Sequence, residues 1–95
     1  MMKMTRTDKK LEKLGFDKLE ETRFCVGYSR KRDTHYQTVC ILHKRNGPAI
    51  LQSYDPKLFD EKGVGNTCVG LTEKEARLFA KKMREYRRNP PKEEA

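Results

Sequence analysis

Thr72-Glu73-Lys74-Glu75-Ala76-Arg77-Leu78-Phe79-Ala80-Lys81-Lys82-Met83-Arg84-Glu85-Tyr86-Arg87-Arg88 reads as a single helix that carries both a core face and a one-signed basic stripe. At about 100° per residue, Ala76, Phe79, Ala80 and Met83 cluster on one side, which predicts the buried face. Arg77, Lys81, Arg84 and Arg88 fall within about a 60° arc on one flank at the same step. The other flank is mixed: Glu75, Leu78, Lys82, Glu85 and Tyr86. Thr72-x-x-Glu75 is a capping box, bracketed by Leu71 and Ala76 as a hydrophobic staple, so the helix start is well defined. Asn89-Pro90-Pro91 stops it, and 89–95 reads as a flexible tail.

Upstream, the pattern changes to a period of two. Phe24, Val26 and Tyr28 alternate, Arg30-Lys31-Arg32-Asp33 supplies a polar turn, and Thr34 to Lys44 runs as a long strand. Arg45-Asn46-Gly47-Pro48 is the hairpin signal. Because Pro48 has no N–H to close a two-residue loop, a four-residue loop between Lys44 and Ala49 is preferred. Either even-length loop gives one register: Phe24 opposite Val39, Val39 opposite Tyr54, and His43 opposite Ile50. One sheet face then collects Phe24, Val26, Tyr28, Val39, Ile41, Ile50 and Tyr54, and is assigned to the C-terminal helix. The other collects Cys25, Gly27, Ser29, Thr38, Cys40, Leu42, Ala49, Leu51 and Ser53, which take the N-terminal helix or face solvent.

Residues 1–6 read as disordered, and 7–88 as one domain. Thr7 is placed as the cap of a short helix, Asp8 to Leu14, which Gly15 ends. Phe16 to Glu21 is a charged, edge-like strand. Asp55 to Gly70 is a loop with three glycines, tacked down by Leu58, Phe59, Val64 and Val69. The expected fold is therefore α+β: an antiparallel three- to four-stranded β-meander with a short N-terminal helix and a longer C-terminal helix on the sheet. Its core draws on Leu11, Leu14, Phe16, Leu19, Phe24, Val26, Tyr28, Val39, Ile41, Leu42, Ile50, Leu51, Tyr54, Phe79 and Met83.

Apolar residues make up only 35% of the 95-residue chain, enough for one modest core and too few for a deep catalytic cavity. The net charge of +8 is uneven: +5 falls in 23–45 and +3 in 71–95, against +1 and −1 in the two remaining segments. That excess points to an acidic partner: nucleic acid, a ribonucleoprotein, or an acidic protein face. Three unpatterned cysteines, Cys25, Cys40 and Cys68, suit free thiols in a reducing cytoplasm, and no apolar run reaches the length of a membrane span.

Chemical motifs are sparse. Gly63-Val64-Gly65 lacks the third glycine, the Lys-Ser/Thr and the parallel β-α-β setting of a phosphate loop. His35 and His43 stand too far apart on one strand to share a metal. Cys25 and Cys40, in strands, read as inert thiols. No acid–base or nucleophile constellation occurs, so the expectation is a non-enzymatic protein with no cofactor, metal or small-molecule substrate. The candidates for partner binding are the helix stripe of Arg77, Lys81, Arg84 and Arg88, and the meander tip of Arg30, Lys31 and Arg32. Lys44-Arg45 lies about 30 Å from that tip, so the basic clusters are not one compact site. No aromatic residues interleave with the basic ones in the manner of single-strand-binding surfaces.

Leu14-Gly15-Phe16 with Glu20-Glu21, Ile41-Leu42-His43-Lys44, Gln52-Ser53-Tyr54, and Val69-Gly70-Leu71-Thr72 leading to Ala76 and Lys81-Lys82-Met83 resemble a group of small proteins encoded by phages, prophages and plasmids of Gram-positive bacteria. The resemblance covers roughly 11–84. It implies a mobile-element setting, in which small proteins are often inhibitors of host defence, anti-CRISPR proteins among them. The expected activity is then inhibition of a host defence protein or ribonucleoprotein, most concretely an RNA-guided nuclease or its guide RNA. The alternative is a phage or plasmid accessory protein that binds RNA or DNA directly.

Overall fold

The N-terminal helix begins where a polar side chain and a backbone amide can satisfy each other. In the computed structural model, which describes residues 4–32, 35–43, 49–57 and 68–88, Thr5 is that cap. The Asp8 amide donates to Thr5 Oγ1 at 3.2 Å, and the Thr5 amide donates to Asp8 Oδ2 at 3.0 Å. Helix α1 therefore spans Arg6–Lys13, two residues earlier than expected, with Thr5 and Arg6 forming its cap and first position. The reason is chemical: Thr5-x-x-Asp8 has an acid to complete the box, whereas Thr7-x-x-Lys10 does not. Gly15 ends the helix as expected, at φ +98°, with its amide bonded to the Glu12 carbonyl at 2.9 Å.

Four strands follow: β1 (Asp17–Glu21), β2 (Cys25–Lys31), β3 (Tyr36–His43) and β4 (Ala49–Tyr54). They pair antiparallel in sequence order, and α2 (Glu73–Arg88) closes the described chain. The fold is the expected α+β meander with a short N-terminal and a longer C-terminal helix. Residues 1–3, 33–34, 44–48, 58–67 (with Leu58, Phe59, Val64 and the Gly63-Val64-Gly65 stretch) and 89–95 lie outside the described residues, so the expected turn at Asp33, loop at Arg45-Asn46-Gly47-Pro48 and C-terminal tail fall wholly or partly there.

Both hairpins depart from the expected register. Tyr28, not Phe24, stands opposite Val39, because β2 continues through Arg30 and Lys31, paired with Gln37 and Tyr36. That shift is even, so Val26, Tyr28, Val39 and Ile41 keep a common face. Phe24 drops out of the strand and is 52% exposed, and Leu19, at a bulge in β1, is 53% exposed. In the second hairpin, His43 pairs with Ala49, which leaves an odd number of residues between them. A one-residue shift exchanges the faces. Ala49, Leu51 and Ser53 join Val39 and Ile41 beneath the helices, while Ile50 and Tyr54 turn to the opposite face.

The core lies between the sheet and both helices, which share one side of it. Leu11, Phe16, Val26, Tyr28, Val39, Ile41, Phe79 and Tyr86 are buried. The Phe79 ring meets Phe16 and Tyr28 edge-on at 5.2 and 5.4 Å, and Tyr86 meets His43 at 5.2 Å. Helix α2 is rotated from the expected orientation: its buried residues are Glu75, Phe79, Lys82 and Tyr86. Ala76, Ala80 and Met83 are only half-buried, at the flank. The mixed flank faces inward because the structure supplies partners for its polar groups.

Phe79 touches both the α1–β1 junction and the sheet, so Phe79→Ala opens a cavity at the centre of the domain. The expected cost is about 3–5 kcal/mol. Urea unfolding checks it, with a lower midpoint at an unchanged slope.

Candidate functional site

Asp8 governs how the two helices meet. Its side chain is fully buried, and its Oδ2 accepts from Lys18 Nζ at 2.9 Å and Lys82 Nζ at 3.2 Å, while Oδ1 accepts from the Tyr28 hydroxyl at 2.5 Å. Lys82 also faces Glu21 at 3.4 Å and Glu85 at 3.5 Å, and Lys18 pairs with Glu21. Thr7 Oγ1 donates to Glu85 Oε2 at 2.7 Å. Burial pushes the Asp8 carboxyl up. Hydrogen bonds from Tyr28, the Thr5 amide and Lys18, with the charge of Lys82, outweigh it and hold the group at about 2. Burial and the Asp8 bond drive the Tyr28 phenol upward, so it donates without ionising. The side chains of Asp8, Lys18 and Lys82 are at most 2% exposed. They serve as an ionic lock between α1, β1 and α2.

Arg30 forms a second lock and does not belong with the exposed basic residues. It is 8% exposed, with Nη1 on Glu75 Oε2 at 2.8 Å and on the Leu14 carbonyl at 3.1 Å, and Nε and Nη2 on Gln37 Oε1 at 3.2 and 2.7 Å. Its guanidinium lies 4.0 Å from the Phe16 ring centroid. A Cβ at Gly15 would come within 3.2 Å of Arg30 Cδ, a tight approach beside a φ of +98° that by itself favours glycine. Glu75 completes the expected box with Thr72 (2.9 and 3.1 Å) and binds Arg30 as well. Burial raises the Glu75 carboxyl, but Arg30 and the Thr72 amide lower it further. Lys31 and Arg32 are exposed, as expected of the tip.

With α1 fixed beside α2, a groove of about 1110 Å³ opens between them. Lys10 and Lys13 form one wall, Lys74, Arg77, Lys81 and Arg84 the other, with Leu14, Leu78 and Ala80 between and Thr72 and Glu73 at one end. All six cations are exposed. Arg77 pairs with Glu73; Lys10, Lys13, Lys74, Lys81 and Arg84 have no carboxylate partner among the described residues. The cause is a sorting of charge. The acids Asp8, Glu75 and Glu85 are used in the two locks, which leaves the lysines and arginines of the same helices outward.

The structure thus gathers Arg77, Lys81 and Arg84 of the expected stripe into one groove. Arg88 is exposed on the last turn of α2 but does not line it, and neither do Lys31 and Arg32. Sequence reasoning missed Lys10, Lys13 and Lys74. The signal for the first two was the i, i+3 spacing on a short amphipathic helix, which becomes a wall only once α1 is known to lie beside α2. On the far side of the sheet, burial, then the charge of Glu20 and the neighbouring Cys40, push the Cys25 thiol up to about 12, so it stays protonated at neutral pH. Among the described residues, no three His, Cys, Asp or Glu side chains converge to hold a metal, and no helix is long and apolar enough to cross a membrane.

Two outcomes follow from the locks. Asp8 titrates at 3.8 when free and at about 2 here, so its contribution is complete above 3.8 and disappears as pH falls through about 2. Asp8→Asn is expected to cost about 3–5 kcal/mol at neutral pH and to flatten the acid limb of the stability–pH curve. Arg30→Ala strands Glu75 and is expected to cost a similar amount, whereas Lys31→Ala and Arg32→Ala change stability by less than about 0.5 kcal/mol. Denaturant unfolding across acid and neutral pH reads both.

Comparison with protein-family models, with curated proteins and with solved structures finds no match to this chain. The functional reading therefore stands on the geometry of the groove.

Proposed function

We propose that this protein acts without catalysis, by stoichiometric binding of a nucleic-acid phosphate backbone in the α1–α2 groove. The observation that carries this reading is the set of five cations that have no carboxylate partner among the described residues, on two walls of one groove. From Lys74 to Arg84 the α2 wall runs about 15 Å at 1.5 Å per residue, room for about two or three phosphates. An extended polyanion answers that row of like charges along its whole length, whereas a single carboxylate answers one position.

The sequence phrases that resemble mobile-element proteins favour one biological use of such a surface. RNA-guided nucleases hold guide and target in positively charged channels, so a basic inhibitor gains nothing by imitating DNA there. It meets the guide RNA itself, or an acidic face of the effector, and blocks assembly or target loading. In this reading the protein is an inhibitor of host defence of the anti-CRISPR type, acting in the bacterial cytoplasm. The second reading uses the same groove for the phage's or plasmid's own nucleic acid, as an accessory protein; the run of unpaired cations favours it as well. Lys31, Arg32 and Arg88 are an additional exposed basic surface available to either partner.

Tagged protein in a host lysate, pulled down with and without nuclease treatment, separates the two. The expected result is capture of an RNA-guided effector, lost in the Lys81→Glu/Arg84→Glu variant, together with protection of an incoming phage or plasmid. Capture of bulk nucleic acid without protection assigns the accessory role. Absence of both, with no nucleic-acid binding at low salt, overturns the proposal.

A further inference from the structure

We infer that the groove takes a single nucleic-acid strand, gripped from both helices by its backbone, and does not dock on a duplex. The inference rests on the phosphate-backbone reading above and makes it specific. A lone basic helix is about 10–12 Å across and enters a major groove about 12 Å wide. Helix α2 is not such a helix. Its Lys81 and Arg84 face a groove whose opposite wall is α1, carrying Lys10 and Lys13. Two packed helices with axes about 8–10 Å apart present a body roughly twice as wide as one, too wide for that entry. A duplex laid across them meets only the rims, whereas one strand between the walls brings its phosphates to Lys10 and Lys13 on one side and Lys81 and Arg84 on the other.

The remaining features of the groove agree with a backbone grip. Leu14 and Leu78, half-buried and packed on the core, offer an apolar strip for sugar rings. Among the described residues no aromatic side chain lines it, so none of them offers bases a stacking platform, and binding is tolerant of sequence. Both walls are held by the buried Asp8 and Arg30 locks, so the groove is preformed and little ordering opposes binding. Without stacking, affinity comes mainly from charge and falls steeply with salt.

Fluorescence anisotropy with labelled oligouridylate and oligothymidylate of about 12 nucleotides, and with RNA and DNA duplexes of equal length, tests this at about 50 and 200 mM salt. The expected result is single-strand binding at least about tenfold tighter than duplex binding, with a log–log salt slope of about −2 for three contacted phosphates. The tighter of the two single strands identifies RNA or DNA as the source. Lys10→Glu/Lys13→Glu and Lys81→Glu/Arg84→Glu, all at exposed positions, are each expected to weaken single-strand binding at least about tenfold with the far-UV spectrum and melting temperature retained. Duplex binding as tight as single-strand binding overturns the inference. So does a Lys10→Glu/Lys13→Glu variant that binds like the parent while the α2 variant fails. Either result leaves a phosphate-binding α2 standing; loss of all binding to every probe at the lower salt overturns both readings.

Discussion

The burial of Asp8 is the constraint on which the arrangement of this domain depends. Helix α1 has eight residues, too few to persist alone, and Leu11 is its one fully buried apolar side chain. Hydrophobic burial of that size does not fix where a helix sits or how it is rotated. A carboxylate that must find two ammonium groups and a phenol does, because any slip of α1 leaves a charge in the interior without its partners. The same Asp8 closes the capping box with Thr5, so the group that starts the helix also docks it.

Arg30 repeats this logic at the other end of the helix pair. It ties β2 to the Leu14 carbonyl where α1 ends, to Gln37 on β3 and to Glu75 where α2 begins. Gln37 extends the connection to Ser53 at 2.9 Å. In a chain that is 38% charged and 35% apolar, charged and polar side chains thus take interior positions that a richer core would fill with leucine. The consequence for the surface is direct. The two helices bury the acids Asp8 and Glu75 but only one cation, Lys82, so cations are left in excess outside and several of them line the groove.

This division also explains what was legible in the sequence. The capping box at Thr72 and Glu75, the end of α1 at Gly15 and the period-two strands are local signals, and each was readable from a few neighbouring residues. The rotation of α2 was not. A reading that counts apolar residues sends Ala76, Ala80 and Met83 inward and leaves Lys82 and Glu75 outside, because it has no means of knowing that Asp8 and Arg30 wait for them. The β3–β4 register failed for a related reason: parity depends on one residue in a loop, and Ile50 and Leu51 are nearly equivalent candidates for the buried face. Of the candidate site, the α2 stripe was visible as a helical spacing. Lys10 and Lys13 became part of it only through tertiary docking, and Arg30 left it because an arginine beside Lys31 and Arg32 looks like any other turn cation.

Two short phrases at the helix ends follow the same division. Leu14-Gly15-Phe16 is the helix end, the close approach of Arg30 and the ring beneath its guanidinium; Gly70-Leu71-Thr72 carries a carbonyl 3.4 Å from Gln37 Nε2 and the α2 cap. They encode caps, core and locks. The groove cations lie outside both phrases. The inward Asp8, Glu75 and Lys82 hold the two helices together, and the outward Lys10, Lys13, Lys74, Lys81 and Arg84 of the same helices line the groove. Because none of those outward cations takes part in the locks, exchanging one leaves Asp8 and Arg30 with their partners and the two helices side by side.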